Sequence, residues 1–116
     1  MLTEPSALVI SALIEAPIAY AIVRFAKWPS RGAFHAAAAS AVATAGTHPQ
    51  LWFNVIPGLS DYLGYWSSVA LAEIVVVVIE GALIAWMADL NIQRAMLVSL
   101  VANAASFAAG VLGSFA

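Results

Sequence analysis

The chain has 116 residues, of which 64% are hydrophobic and only 9% are charged, whereas ordinary soluble domains carry about 25% charged residues. Its four basic and six acidic residues give a net charge of −2, which excludes the basic surface that nucleic-acid binding requires. The absence of cysteine excludes disulfides and thiolate metal sites. This composition predicts an integral membrane protein that forms one domain over residues 1–116.

Four apolar stretches have the length of membrane-spanning helices, for which about 20 residues cross a hydrocarbon core of about 30 Å. The first is interpreted as a retained span, because no basic segment precedes it. Turn-forming residues separate the stretches at Pro29 with Gly32, at Pro57-Gly58 and at Asp89-Leu90-Asn91. We therefore expect an all-α, four-helix transmembrane bundle made of two similar helical hairpins. The predicted spans are 6–26, 33–53, 67–87 and 94–114.

The basic residues predict the orientation of the bundle. Arg24, Lys27 and Arg31 lie at the first turn and Arg94 at the third, whereas the connection 54–66 has no basic residue. Cytoplasmic loops of membrane proteins are enriched in Lys and Arg, so we expect both termini on the outer side of a bacterial inner membrane. Aromatic side chains are expected at both interfaces. These are Trp52, Tyr62, Tyr65 and Trp66 at the outer interface and Trp28 and Trp86 at the inner one.

The two hairpins resemble each other in sequence. Residues 14–20 are similar to 79–86, and residues 40–47 share the pattern S-x-V-A-[T/N]-A-[G/A]-[T/S] with 99–106. A parallel repeat about an axis along the membrane normal would bring Glu15 and Glu80 toward each other across the bundle. The alternative is chance similarity between alanine-rich helices.

Polar residues inside the predicted spans define the candidate site. At a rise of about 1.5 Å per residue, Glu15, Thr44, Glu80 and Asn103 lie near mid-depth, and Glu73 lies two turns before Glu80. Acidic residues at this depth must face the bundle or water. They are either protonated and hydrogen-bonded, or ionised and bound to a cation or to a histidine. The predicted site for a ligand or proton comprises Glu15, Thr44, His48, Glu73, Glu80, Asn103 and Ser106.

A metal site is a further possibility, and the remaining polar residues are assigned to interfaces, loops or helix packing. A divalent metal could bind His48, Glu73 and Glu15, but a structural histidine at position 48 is the plainer alternative. His35 is expected at the solvated cytoplasmic interface, and Glu4, Asp61 and Asp89 in loops. In the fourth span a stripe of small and polar residues predicts a helix-packing seam. The stripe comprises Ser99, Asn103, Ser106, Gly110 and Gly113.

The polar positions also form a sequence outline that runs through all four spans. Its residues are Glu15 and Pro17; Thr47, His48, Pro49 and Trp52; Glu73, Glu80 and Gly81; and Asn103, Ser106, Phe107 and Gly110. With this outline the chain resembles small bacterial four-helix membrane proteins over nearly its whole length. The resemblance implies the fold and the importance of these positions, and it implies no activity.

Three functions are consistent with this pattern. The leading hypothesis is a small multi-pass protein whose buried Glu, His and Asn residues bind or conduct a proton, a cation or a small polar ligand. The alternative is an accessory or assembly subunit of a larger membrane complex, without activity of its own. A third is an intramembrane metal-dependent hydrolase that uses His48 and the glutamates. Besides the lipid bilayer, the expected partners are further copies of the chain or a larger membrane complex.

Overall fold

The computed structural model describes residues 4–50, 54 and 56–114. The prediction of an all-α fold is confirmed, but the described residues form five helices rather than four. The additional helix lies in the stretch that was expected to be an outer loop. The helices are α1 (Glu4–Ala26), α2 (Ala33–Gln50), α3 (Ile56–Leu63), α4 (Tyr65–Met87) and α5 (Ile92–Ser114).

The short helix α3 corrects the prediction of a chain break at Pro57-Gly58. Both residues lie in the first turn of α3, where proline is tolerated because the first backbone N–H groups of a helix have no intrahelical partner. Gly64, with φ 78°, turns the chain from α3 into α4. No residue of α3 is buried, and Tyr62, Tyr65 and Trp66 are exposed as an interfacial belt requires. Trp52 lies outside the described residues.

Three helices are long and apolar enough to cross a membrane: α1 over Leu8–Ala26, α4 over Tyr65–Met87 and α5 over Ile92–Gly110. The second predicted span, 33–53, corresponds to α2. The described residues of this helix do not reach that level of hydropathy, because they include His35, His48, Pro49 and Gln50 besides several Ser, Thr and Gly. Its last three predicted residues, 51–53, lie outside the described residues. With 18 residues, α2 is nevertheless about 27 Å long at the usual helical rise.

The four long helices surround a common interior. Helix α1 packs against α2 and α5, and α4 packs against the same two helices. Helices α1 and α4 therefore lie diagonally opposite each other, and so do α2 and α5. A two-fold repeat of the hairpins α1/α2 and α4/α5 would have this arrangement, although the repeat itself stays a prediction.

The two inter-helical turns meet at one end of the bundle. The Arg31 N–H donates a hydrogen bond to the Ala88 carbonyl at 2.6 Å, and the Arg94 guanidinium lies 5.3 Å from the centre of the Trp28 ring. The four basic residues therefore share one end, as the sequence predicted. Beneath the turns, small and branched apolar side chains close the interior. This inner core comprises Ala19, Val23, Ala36, Ala39, Ile84, Ala88, Leu90, Ala95 and Val98.

Candidate carboxyl site in the bundle interior

Two glutamates from diagonally opposite helices meet in the interior. Glu15 of α1 is 3% exposed and Glu80 of α4 is fully buried. Both carboxyl groups lie beside the same turn of α2, where the Ser40 hydroxyl donates to Glu80 and the Thr44 hydroxyl lies 3.4 Å from Glu15. An ionised carboxylate only accepts hydrogen bonds, so two carboxyl groups can hydrogen-bond only if one of them carries a proton. The two side chains approach each other from opposite helices, and the sequence prediction that Glu15 and Glu80 converge across the bundle agrees with this arrangement.

Both carboxylate oxygens of Glu80 accept short hydrogen bonds. The Ser40 hydroxyl of α2 donates to Oε1 at 2.6 Å, and the Asn103 amide of α5 donates to Oε2 at 2.7 Å. Both distances are typical of strong hydrogen bonds to a charged acceptor. Glu80 thus joins α2, α4 and α5 at one point.

The side chain of Asn103 is itself held in place. Its Nδ2 also donates to the Ser99 carbonyl at 2.8 Å, one turn earlier in α5. The Ser99 hydroxyl donates in turn to the Val77 carbonyl of α4 at 2.7 Å. Asn103 is therefore oriented toward Glu80 by its own helix, and Ser99 fixes the distance between α4 and α5.

Glu15 has weaker partners than Glu80. The Thr44 hydroxyl lies 3.4 Å from Glu15 Oε1 but only 2.9 Å from the Ser40 carbonyl of its own helix, which is the better acceptor for its single proton. The Ser106 hydroxyl of α5 donates to Ser11 at 3.1 Å, one helical turn before Glu15 in α1. Glu15 therefore has fewer strong donors than Glu80.

The third glutamate lies at the edge of the site. Glu73 is half-buried, interacts electrostatically with Glu80 and Glu15, and borders a lateral groove between α4 and α5. No described residue donates a hydrogen bond to its carboxylate. The charged groups that act on Glu15 are therefore two further acids, and no basic side chain is among them.

Five of the seven predicted site residues come together, namely Glu15, Thr44, Glu80, Asn103 and Ser106, and Glu73 lies beside them. The sequence prediction did not include Ser40 in the site and placed Ser99 only in the helix-packing seam, although both belong to the repeated pattern. Ser40 precedes Thr44 by one helical turn and Ser99 precedes Asn103 by one turn. That i, i+4 spacing places each serine on the same helix face as a predicted site residue, and it was the signal that could have found them.

The structure gives no support to a metal centre. No group of three or more His, Cys, Asp or Glu side chains that could hold a metal ion occurs in the described part of the chain. The three ligands considered for a divalent metal, His48, Glu73 and Glu15, therefore do not form such a set. His48 lies near the end of α2 and is half-buried.

No protein-family model, no curated protein and no solved structure is significantly similar to the chain.

Proposed function

We propose that the chain is a multi-pass membrane protein that binds an exchangeable proton on the Glu15–Glu80 pair. The observation that carries the proposal is the burial of two carboxyl groups from opposite helices beside one turn of α2. Two ionised carboxylates at this depth would repel each other and would both require solvation that the bilayer lacks. One shared proton removes the repulsion and leaves a single negative charge that Ser40 and Asn103 can stabilise.

The proposal requires α2 to cross the membrane together with α1, α4 and α5. The hydroxyl groups of α2 form hydrogen bonds within the protein, so they do not need solvation in the bilayer. Ser40 donates to Glu80, Thr44 to the Ser40 carbonyl and Thr47 to the Ala43 carbonyl. A mean hydropathy does not take these hydrogen bonds into account, so it treats the three hydroxyl groups as unsatisfied. The 43 Å length of the molecule also matches the thickness of a bilayer with its headgroup regions, about 40–45 Å.

The distribution of polar groups favours proton exchange with one side of the membrane. The inner core closes the bundle between the pair and the basic turns. On the opposite side of the pair, α1, α2, α4 and α5 carry Ser11, Thr47, Glu73 and Ser106. By the positive-inside bias, the basic turns are cytoplasmic and the pair communicates with the outer side. A protein of this design would bind a proton, or a small cation in its place, from outside the inner membrane.

The proton can be detected by infrared difference spectroscopy of the protein in lipid nanodiscs during a pH titration. We expect a protonated-carboxyl band equivalent to one proton per chain that disappears at high pH. Glu15→Gln and Glu80→Gln should each remove or shift this band. Asp61→Asn is the matched control, because Asp61 lies on the exposed helix α3. A wild-type spectrum without a protonated carboxyl band, or a band that keeps its full intensity in the double Gln variant, would contradict the proposal.

An accessory subunit is the second candidate function, and one observation favours it. Every buried side-chain nitrogen and oxygen in the described residues has a hydrogen-bond partner, as expected for a network that fixes helix positions. In that case the double variant Glu15→Gln, Glu80→Gln should lose a stoichiometric partner on purification in mild detergent. A protein that purifies alone, as a monodisperse species with a titrating carboxyl band, instead supports proton binding.

A further inference from the structure

One end of the bundle carries all four Lys and Arg residues of the chain. The turns 27–32 and 88–91 and the helix ends next to them contain these four basic residues and one acidic residue, Asp89, so their net charge is +3. The basic side chains are exposed, and none of them forms an ion pair with a described carboxylate. This basic end therefore presents positive charge that the described part of the protein does not neutralise. It comprises Arg24, Lys27, Arg31 and Arg94.

Two contacts bring basic residues of different hairpins together. The Arg31 N–H donates a hydrogen bond to the Ala88 carbonyl at 2.6 Å, which joins the two turns. The Arg94 guanidinium lies 5.3 Å from the centre of the Trp28 ring, so a cation of α5 lies against the turn that contains Lys27 and Arg31. Among the described residues no group accepts a hydrogen bond from either guanidinium. Their N–H groups are available to an anion, and a phosphate can accept several of them at once.

The basic end lies where the spans leave the apolar part of the membrane. Arg24 is in the last turn of the apolar segment Leu8–Ala26, and Arg94 is in the first turn of Ile92–Gly110. Long basic side chains at helix ends reach the headgroup level. Large apolar side chains are exposed at the same end, namely Phe25 (80%) and Trp86 (75%). A partner of this end must therefore offer a negative charge together with a hydrocarbon part.

We infer that the basic end binds an anionic phospholipid of the adjacent leaflet. Its phosphate pairs with Arg31 and Arg94, one cation from each turn, and its acyl chains lie along the apolar surface of the spans. A zwitterionic phospholipid is a poorer fit, because its own ammonium group compensates the phosphate. Free phosphate is also a poorer fit, because it has no hydrocarbon part. The inference goes beyond the proposed function, since it requires neither Glu15 nor the shared proton.

The test compares dioleoylphosphatidylglycerol with dioleoylphosphatidylcholine, which have the same acyl chains and differ only in the headgroup. The protein is equilibrated with detergent micelles that contain equal amounts of both lipids and is recaptured by affinity chromatography. Mass spectrometry then quantifies the bound lipids. A basic residue near a membrane surface favours an anionic lipid by about fivefold, so two cations predict a preference of roughly 25-fold. This preference should persist when inorganic phosphate is added as a competitor.

Charge variants distinguish a local site from the net charge of the chain. Arg31→Gln and Arg94→Gln should each lower the preference by about fivefold, and the double variant should remove it. Gln50→Glu is the matched control, because it lowers the net charge by the same amount at the opposite end of α2. It should leave the preference unchanged. Circular dichroism and size-exclusion chromatography check folding, and Arg31→Gln, which keeps the backbone bond to Ala88, still tests the site if Arg94→Gln does not fold.

The outcomes separate this inference from the proposed function. Glu15→Gln should remove or shift the titrating carboxyl band yet keep the lipid preference, so either hypothesis can fail alone. Equal binding of the two lipids by the wild-type chain would overturn the inference and leave the basic residues as determinants of orientation only. An equal loss in Gln50→Glu, or full binding of the anionic lipid by the folded double variant, would also overturn it. Displacement of the lipid by inorganic phosphate would assign the basic end to a soluble anion instead.

Discussion

The two hairpins place a glutamate at the same level of the bundle but surround it differently. In the hairpin α4/α5, the Asn103 amide donates to Glu80 at 2.7 Å. In the hairpin α1/α2, the corresponding position of the sequence repeat is Thr44, whose hydroxyl is 3.4 Å from Glu15 and closer to a carbonyl of its own helix. An amide has two donor hydrogens and can serve its own helix and the neighbouring carboxylate together, whereas a hydroxyl has one.

In the proposed proton site, this difference favours different roles for the two acids. Glu80 accepts strong hydrogen bonds on both oxygens and is suited to the charged form of the pair. Glu15 has the weaker donors and is suited to carry the shared proton toward Glu80. The different residues at these two positions, Thr44 and Asn103, thus produce an unsymmetrical pair, which is the arrangement that two like carboxyl groups need if they are to bind one proton between them.

Removal of each carboxyl group tests the difference most strongly. Glu80→Ala leaves the buried Ser40 and Asn103 donors without their acceptor and opens a cavity, so we expect a loss of roughly 2–4 kcal/mol of unfolding free energy. Glu15→Ala removes a weaker set of contacts and should cost roughly 1–2 kcal/mol. Unfolding in mixed detergent micelles, followed by circular dichroism, measures both values. Equal losses would show that the two acids have equivalent surroundings.

An exchange of the two donors should move the asymmetry from one hairpin to the other. Asn103→Thr replaces the amide beside Glu80 by a hydroxyl and should reduce the unfolding free energy by roughly 1–2 kcal/mol. Thr44→Asn places an amide beside Glu15. In the double variant, an isotope label on Glu80, and no longer one on Glu15, should shift the protonated-carboxyl band. A band that stays on Glu15 after the exchange would contradict the assigned roles.

Helix packing also differs between the hairpins at two glycines. A Cβ atom on Gly81 would lie 2.5 Å from Met96 Sδ and 3.3 Å from Met96 Cα, whereas a Cβ atom on Gly46 would meet nothing within 4 Å. The flexible Met96 side chain can move but its backbone can do so only slightly, so Gly81→Ala should cost about 1 kcal/mol. Gly46→Ala is the matched control and should be neutral or slightly stabilising. A comparable loss for both variants would indicate that the effect does not arise from the α4/α5 contact.

The sequence predicted those features that depend on composition and periodicity. It located the four long helices and their basic end, because apolar length and charge are local properties. The convergence of Glu15 with Glu80 was expected from the predicted repeat of the two hairpins. It did not predict α3, because Pro57-Gly58 indicates a turn unless the helix starts just before it. It also missed Ser40 as a donor to Glu80, because this contact joins different hairpins and depends on α2 packing against α4.

The smallest expected effect on stability concerns the backbone conformation of one residue in each of the turns that follow α1 and α4. Lys27 and Asp89 follow the ends of α1 and α4 with φ values of 57° and 52°. This left-handed region is unfavourable for residues with a side chain, and Asp tolerates it better than Lys. Glycine at such a position relieves the strain. Lys27→Gly should therefore raise the unfolding free energy by about 0.5–1 kcal/mol, and Asp89→Gly by less, in the same detergent assay.

Because Lys27 also contributes to the basic end, Lys27→Ala serves as the control for loss of charge. A gain in Lys27→Ala equal to that in Lys27→Gly would assign the effect to charge, and the conformational argument would then be wrong.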